Sequence, residues 1–397
     1  MINFFSEEVR RNPFPAYDQI RATSPVLHDP QSGLWMIFDR QGVKRALTDH
    51  QAFSSSMLTA GRRNPQWIIF FDPPQQTRLR ALISQAFTPR AIASLEPRIR
   101  ELSRQLLDQQ IERGKMDMAA DFAIPLPMMV IAEMIGIPSA DWPRFRNWSD
   151  SILKLSYTIS GGEQAAAASA EFFQVTHEMA EYMPAIIEER RATPTDDLLT
   201  RLVHAEVDGE RLTRDEIVAF VQLLLVAGNE TTTNLLNNAI LCLMENPDQL
   251  ARLRAAPELL APAIEEVLRY RSPLQWMFRA TTRDVELDGV TIPAGKLVLP
   301  MIGAANRDPK QFTDAGRFDI AREPNPHIAF GHGIHFCLGA PLSRLEARIA
   351  LTHFLERVQK FEMASDQPWE PRKALHVHGP AALPIRFEPG QKAAAAG

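Results

Sequence analysis

The chain has 397 residues, 45% of them hydrophobic and 23% charged, the balance of a soluble protein with a sizeable core and little disorder outside its ends. A formal net charge of −5 gives no basic excess for gripping a phosphate backbone, which excludes nucleic acid as an expected partner. Two cysteines, Cys242 and Cys337, are too few for a disulfide framework and fit a reducing cytoplasm.

Residues 1–8 lack a basic stretch followed by an apolar core, so no signal peptide is expected. Hydrophobic periodicity then predicts a strand near 34–38 and helices near 41–49, 75–86, 90–112, 140–157 and 164–191. Ser160-Gly161-Gly162-Glu163-Gln164 reads as a flexible corner between the last two helices. A long helix over 214–246 follows, then a helix at 258–270, strands at 285–291 and 297–300, a helix at 341–359 and a strand at 383–387. Residues 392–397 read as a frayed tail. Helix dominates, and no repeat or low-complexity linker divides the chain. The simplest organisation is one mainly α domain over 1–397 with a core from about 12 to 387. The longest apolar run, 217–228, contains Gln222 and falls short of the ~20 residues that cross a bilayer, so no membrane partner is expected.

Thr213-Arg214-Asp215-Glu216 is a capping box that opens the long helix, and the helix is about 50 Å long. Its first half is apolar around most of its circumference, which places it in the core. Ala227-Gly228-Asn229-Glu230-Thr231-Thr232-Thr233-Asn234 then brings in a glycine, a carboxylate and three β-branched hydroxyl residues, none of which interior helix stability selects. The Thr231 hydroxyl can turn to the Ala227 carbonyl, loosening the helix and leaving a groove for a small molecule.

Phe330-Gly331-His332-Gly333-Ile334-His335-Phe336-Cys337-Leu338-Gly339 places a cysteine in a loop that runs into the helix starting near Pro341. Gly331, Gly333 and Gly339 permit backbone angles closed to other residues, so amide N–H groups can point at the sulfur. With the positive end of the helix dipole aimed the same way, the thiol pKa is expected to fall. A buried cysteine acting as a small hydrophobe is the plainer reading of such a residue, and Cys242, in an apolar helical run, needs no other.

The pattern F-G-x-G-x-H-x-C-x-G resembles the haem-binding signature of the cytochrome P-450 family, the haem-thiolate monooxygenases, and the resemblance extends over nearly the whole chain. It implies that family's fold, mainly α with minor β, in which a long central helix and the Cys-ligand loop enclose haem b. It makes Cys337 the iron ligand, with Phe330, Gly331 and Gly339 shaping its loop. Ala227, Gly228, Glu230 and Thr231 match the family's small residue, Gly, acid and Thr. Thr231 would then hydrogen-bond dioxygen above Ala227, and Glu230 would relay protons from solvent. Asp72-Pro73-Pro74-Gln75-Gln76-Thr77-Arg78-Leu79-Arg80 resembles the family's propionate-binding helix start, with Arg80 in the binding place and Gln76 where many members have His. Arg279 and His335 match further propionate partners. Glu266 and Arg269 match its Glu-x-x-Arg motif, with Arg317 as the third member of a buried network. The substrate pocket is expected at Ile68, Ile69, Ala227, Leu274, Gln275, Trp276, Met277 and Val377, and its apolar character implies a lipophilic small molecule.

The implied reaction inserts one oxygen atom of O2 into a C–H or double bond. Electrons would come from a separate ferredoxin and its NAD(P)H-dependent reductase, docking nearest Cys337. Three other readings remain at this point. A haem-thiolate peroxygenase using hydrogen peroxide would not require the Glu230–Thr231 pair, and a non-enzymatic haem sensor or ligand-binding protein would yield no product. A zinc site on His332, His335 and Cys337 lacks a fourth ligand nearby.

Overall fold

The computed structural model describes residues 3–4, 6–61, 65–154 and 162–390. Ser160 and Gly161 of the expected corner, and the tail 392–397, lie outside them, while Gly162 already opens the helix Gly162–Ala192. Helices dominate, with strands in small sheets. The capping box forms as expected: the Thr213 hydroxyl accepts from the Glu216 amide at 3.2 Å, and the Glu216 carboxylate accepts from the Thr213 amide at 2.8 Å. It opens one uninterrupted α-helix, Arg214–Glu245, of 32 residues.

This long helix packs against Pro125–Ile135, Trp142–Leu153, Gly162–Ala192 and Ala340–Arg357, and is buried along most of its length. Gly228 lets one neighbour approach closely, since a Cβ there would stand 2.6 Å from Ile131 Cδ1. The helix expected over 90–112 is two, Pro89–Ala93 and Glu96–Asp108, because Pro97 starts a new first turn and cannot continue an old one. The helices Phe14–Thr23, Pro125–Ile135, Leu198–His204 and Pro247–Ala255 form in addition to those expected. Pro125–Ile135 is apolar except for Glu133, and a single polar position leaves no amphipathic stripe to detect. With the preceding turn it forms a stretch, Met118–Ile135, long and apolar enough by composition to cross a membrane, and 67% of it is buried inside the fold.

The largest sheet has the strand order Val26–His28, Trp35–Ile37, Leu297–Pro300, Arg279–Thr281, Phe53–Ser54. Trp35–Ile37 and Leu297–Pro300 run parallel, Val298 opposite Trp35, and the remaining pairs are antiparallel. A second, antiparallel sheet joins Val358–Met363, Pro384–Pro389 and Lys115–Asp117. The expected strand at 285–291 is a hairpin, Val285–Leu287 with Val290–Ile292, whose turn holds Asp288 and Gly289 at positive φ.

Candidate active site

The cysteine loop is held at both ends. The Cys337 amide donates to the Phe330 carbonyl at 2.9 Å, and Gly331 and Gly333 adopt φ of +75° and +74°. At Gly333 a Cβ would also stand 2.9 Å from the Leu47 carbonyl oxygen. Gly339 departs from expectation: its φ is −80°, open to any residue, and its contribution is the amide it turns to the sulfur together with that of Ala340. The helix Ala340–Arg357 starts there. The expected fall in the thiol pKa does not occur, because burial of the sulfur pushes it up and outweighs the two amides and the Arg80 and Arg344 charges that favour the thiolate. A metal cation deprotonates such a ligand outright. Arg344 lies over the Phe330 ring, 4.5 Å from its centroid, and so roofs the loop. Among the described residues, no three His, Cys, Asp or Glu side chains cluster as a metal site, so His332, His335 and Cys337 do not form the zinc centre their spacing allowed.

Arg80, Arg279 and His335 gather beside this loop. Among the described residues neither guanidinium forms an ion pair, although Arg279 is buried and Arg80 half-buried. Burial lowers Arg279 to about 10, and burial with the Arg279 charge lowers His335 to about 4. The His335 Nε2 is buried with no protein partner. Two cations with no carboxylate at ion-pair distance among the described residues, Asp72 acting on Arg279 only from farther off, and a free ring nitrogen near a buried sulfur facing two amides fit an iron ligand with an anionic edge, as haem has. Gln76 differs from its expected role: its Nε2 donates to the Ile334 carbonyl at 2.8 Å, so it ties the helix Gln75–Ala86 to the cysteine loop.

On the long helix the Thr231 hydroxyl donates to the Ala227 carbonyl at 2.6 Å, as the sequence suggests, and Ala227 is exposed. The helix stays continuous through this bond. The polar stretch around it is not uniformly free of structural duty. Asn229 donates to Ser149 at 3.0 Å, Thr232 to Ser343 at 3.2 Å and Thr233 to the Ala123 carbonyl at 2.9 Å, so these three clamp neighbouring segments. Glu230 is buried, and burial raises it to about 7 against the opposing Arg372 charge.

Glu266 and Arg269 are fully buried and pair through two bonds of 2.8 Å. Arg269 also donates to the carbonyls of Asn306, Ala315 and Arg317, and Glu266 accepts from the Asp319 amide, Asn325 and Arg322. Arg317 is therefore a correction. Its side chain is exposed and only its carbonyl joins the network, whereas the Arg322 guanidinium reaches Glu266 at 3.2 Å.

The positions expected to line a substrate pocket divide. Ile68 and Ile69 pack on the main core, while Leu274 and Met277 pack on a second cluster and Trp276 on a third. Leu274 bridges to Val377 across the chain. Gln275 is a correction: it is buried, its Nε2 donates to the Ser272 carbonyl at 2.7 Å and its Oε1 accepts from Tyr17 at 3.2 Å, so both ends are spent on the fold. Sequence reasoning missed Arg322, Arg344, Arg372 and His376. Arg344 could have been found, since it lies one turn into the helix that follows the cysteine loop.

Residues 162–380 match the family model described as "Cytochrome P450". The chain is 42% identical to the putative cytochrome P450 YjiB of Bacillus subtilis over 93% of each chain. The solved cytochrome P450 CYP109Q5 from Chondromyces apiculatus superposes with a TM-score of 0.91 at 38% identity, covering 98% of this chain and 99% of that one. CYP109E1 from Bacillus megaterium, solved in complex with testosterone, gives a TM-score of 0.87 at 40% identity over 94% and 99%. At these identities and coverages the chain belongs to the cytochrome P450 family, oxidoreductases that carry haem b and act as monooxygenases.

Proposed function

We propose that Cys337 is the iron ligand of a monooxygenase that hydroxylates or epoxidises a lipophilic molecule, and that Glu230 and Thr231 serve its oxygen chemistry. Haem, when bound, supplies the activation of O2. Thr231 presents a hydroxyl beside exposed Ala227, and Glu230, near 7, can hold or release a proton at physiological pH. Arg80, Arg279 and His335 would hold the propionates, and Phe330 with Gly331 and Gly339 shape the loop around the sulfur. The balanced reaction takes RH, O2, two external electrons and two protons to ROH and water.

The observation that carries this reading is a sulfur faced by two amides beside two guanidiniums that form no ion pair among the described residues. Ile68, Ile69, Leu274 and Val377 are the proposed substrate contacts. A lipophilic substrate is supported by the testosterone complex of the similar structure and by the apolar side chains of these proposed contacts. Electrons are proposed to arrive from a ferredoxin and its NAD(P)H-dependent reductase. Exposed Phe336, with Arg348 on the helix Ala340–Arg357, marks the docking face near Cys337. A cytoplasmic, single-domain enzyme agrees with the inward burial of Met118–Ile135.

The test is optical. The reduced protein under carbon monoxide is expected to show the long-wavelength Soret band of a thiolate-bound haem, and Cys337→Ser is expected to lose it. A Cys337→Ser protein that keeps the band and turns over substrate overturns the assignment.

A further inference from the structure

The second half of the long helix carries a polar row of which the roles above use only Glu230. Glu230, Asn234, Asn238, Cys242 and Glu245 recur every three or four residues and share one face, with Asn237 on its flank. Leu235, Leu236, Ala239, Ile240, Leu241 and Leu243 make the rest of this stretch apolar and buried. Amides do not settle in such a place for helix propensity or for burial.

Two other segments complete the seam. Arg372 Nε donates to Asn234 Oδ1 at 3.0 Å, and His376 Nε2 stands 3.9 Å from Glu230 Oε2. Asn238 Nδ2 donates to the carbonyls of Arg271 at 3.0 Å and His378 at 2.9 Å. Arg271 then pairs with Glu245 at 3.0 Å. The row thus begins at Glu230 and ends at Glu245, whose side chain is 41% exposed. Glu245 lies in a surface crevice of about 410 Å³ shared with Asp18, Arg271, Arg307 and Trp369.

Along the seam, polar atoms are left that no protein group bonds among the described residues. They are Asn234 Nδ2, both amide atoms of Asn237, Asn238 Oδ1, Arg271 Nε, His376 Nδ1 and both ring nitrogens of His378. The three asparagines are 0% exposed and His378 is 2% exposed. Buried donors and acceptors concentrated like this are the places that ordered water satisfies. Burial keeps His378 neutral, with its pKa down to about 3, so its ring can both accept and donate a hydrogen bond.

We propose that a file of ordered water occupies this seam and joins Glu230 to the crevice at Glu245, so that protons delivered at the oxygen site are replaced from the surface along the helix. The inference rests on the reading of Glu230 as a proton carrier. The distance along the axis is roughly 22 Å, a span that side chains and a few waters at hydrogen-bond spacing can cover. The two protons consumed with each O2 move inward, and no bond of the protein is made or broken beyond their transfer from donor to acceptor.

Asn237→Leu is the sharpest variant, because the Asn237 side chain bonds no protein atom among the described residues and the two side chains are close in size. A high-resolution crystal structure of the haem-loaded enzyme is expected to show waters on Asn237 and His378, and the variant to lose those at Asn237. Product formed per electron pair with O2 is expected to fall about tenfold, less than the loss of a positioned acid itself. Turnover driven by hydrogen peroxide, which brings both protons with the oxygen, is expected to stay unchanged. His378→Phe is read in the same way and replaces Asn237→Leu if that variant does not fold. A dry seam in the wild-type crystal, full coupling in the variant, or equal loss of O2- and peroxide-driven turnover overturns the proposal. Glu230→Gln separates the two layers. If it keeps full coupling, the role of Glu230 falls, while the crystal waters still decide whether the file exists.

Discussion

His376 Nε2 stands 3.9 Å from Glu230 Oε2, and burial drives the two groups in opposite directions, Glu230 up to about 7 and His376 down to about 4. At neutral pH the pair is therefore no salt bridge. It is a neutral imidazole beside a carboxyl that is close to half-protonated, and a carboxyl poised in this way can take up and give up a proton without a large energetic step in either direction.

A pH dependence follows. Below about 7 Glu230 carries the proton it donates, and above about 7 it is a carboxylate, so O2-driven turnover is expected to fall as pH rises through that value. Glu230→Gln should lower the rate by about two orders of magnitude and remove this limb of the profile. Identical pH profiles for the two proteins would exclude the assignment.

The propionate cluster predicts effects of opposite sign in the apo and loaded protein. Arg279 is a buried cation that forms no ion pair among the described residues, and the more distant Asp72 only partly offsets its burial, so Arg279→Leu is expected to raise the stability of the haem-free chain by about 1–3 kcal/mol, measured by urea unfolding. The same change should speed haem loss to an acceptor globin. Slower haem loss, or an apoprotein made less stable, would contradict the cradle.

The Glu266 network distinguishes three arginines. Arg269→Ala leaves Glu266 buried beside a lost partner and is expected to cost about 3–5 kcal/mol and abolish haem retention. Arg322→Ala removes a second donor to Glu266 and should weaken retention measurably. Arg317→Ala should stay within about 0.5 kcal/mol of wild type, because its side chain is exposed and only its backbone is used. Thermal melts of the three, with the carbon monoxide spectrum alongside, check the order.

Glu346 is buried in the helix Ala340–Arg357 with its Oε2 unbonded among the described residues, and burial alone raises it from 4.5 to about 8. A carboxyl with a raised folded pKa favours the fold while protonated. Its contribution is fully present below 4.5 and is lost as pH climbs through about 8. Glu346→Gln should therefore flatten the fall in stability between those values, by on the order of a few kcal/mol. A variant whose stability still falls as steeply would assign the loss elsewhere.

The cysteine loop, the capping box and the acid–threonine pair could be read from sequence because each compresses its chemistry into neighbouring residues. Thr213 and Glu216 meet across a single turn, and Thr231 finds Ala227 four residues back. Partnerships made across the fold were not legible. Arg317 and Arg322 are five residues apart, and only the turn of the intervening backbone decides which guanidinium reaches Glu266. Gln275 and Gln76 look like site residues until their bonds to Ser272 and Ile334 are seen. The thiol of Cys337 was misjudged because its amides are local and visible, whereas the burial that outweighs them is contributed by distant segments. Pro125–Ile135 stayed hidden for the opposite reason, since a helix whose one polar residue is Glu133 has no second face to give it a rhythm.

The bond from Gln76 to the Ile334 carbonyl joins the helix bearing Arg80 to the loop bearing Cys337. It works as the pivot of a calliper, its two jaws the helix with Arg80, proposed to meet a propionate, and the loop with Cys337, proposed to meet the iron. The gap between those jaws is set by an uncharged amide, so it is indifferent to acidity and to ionic strength. Such a pivot would hold the mouth at one width before any pigment enters, and loading would then be a matter of fit.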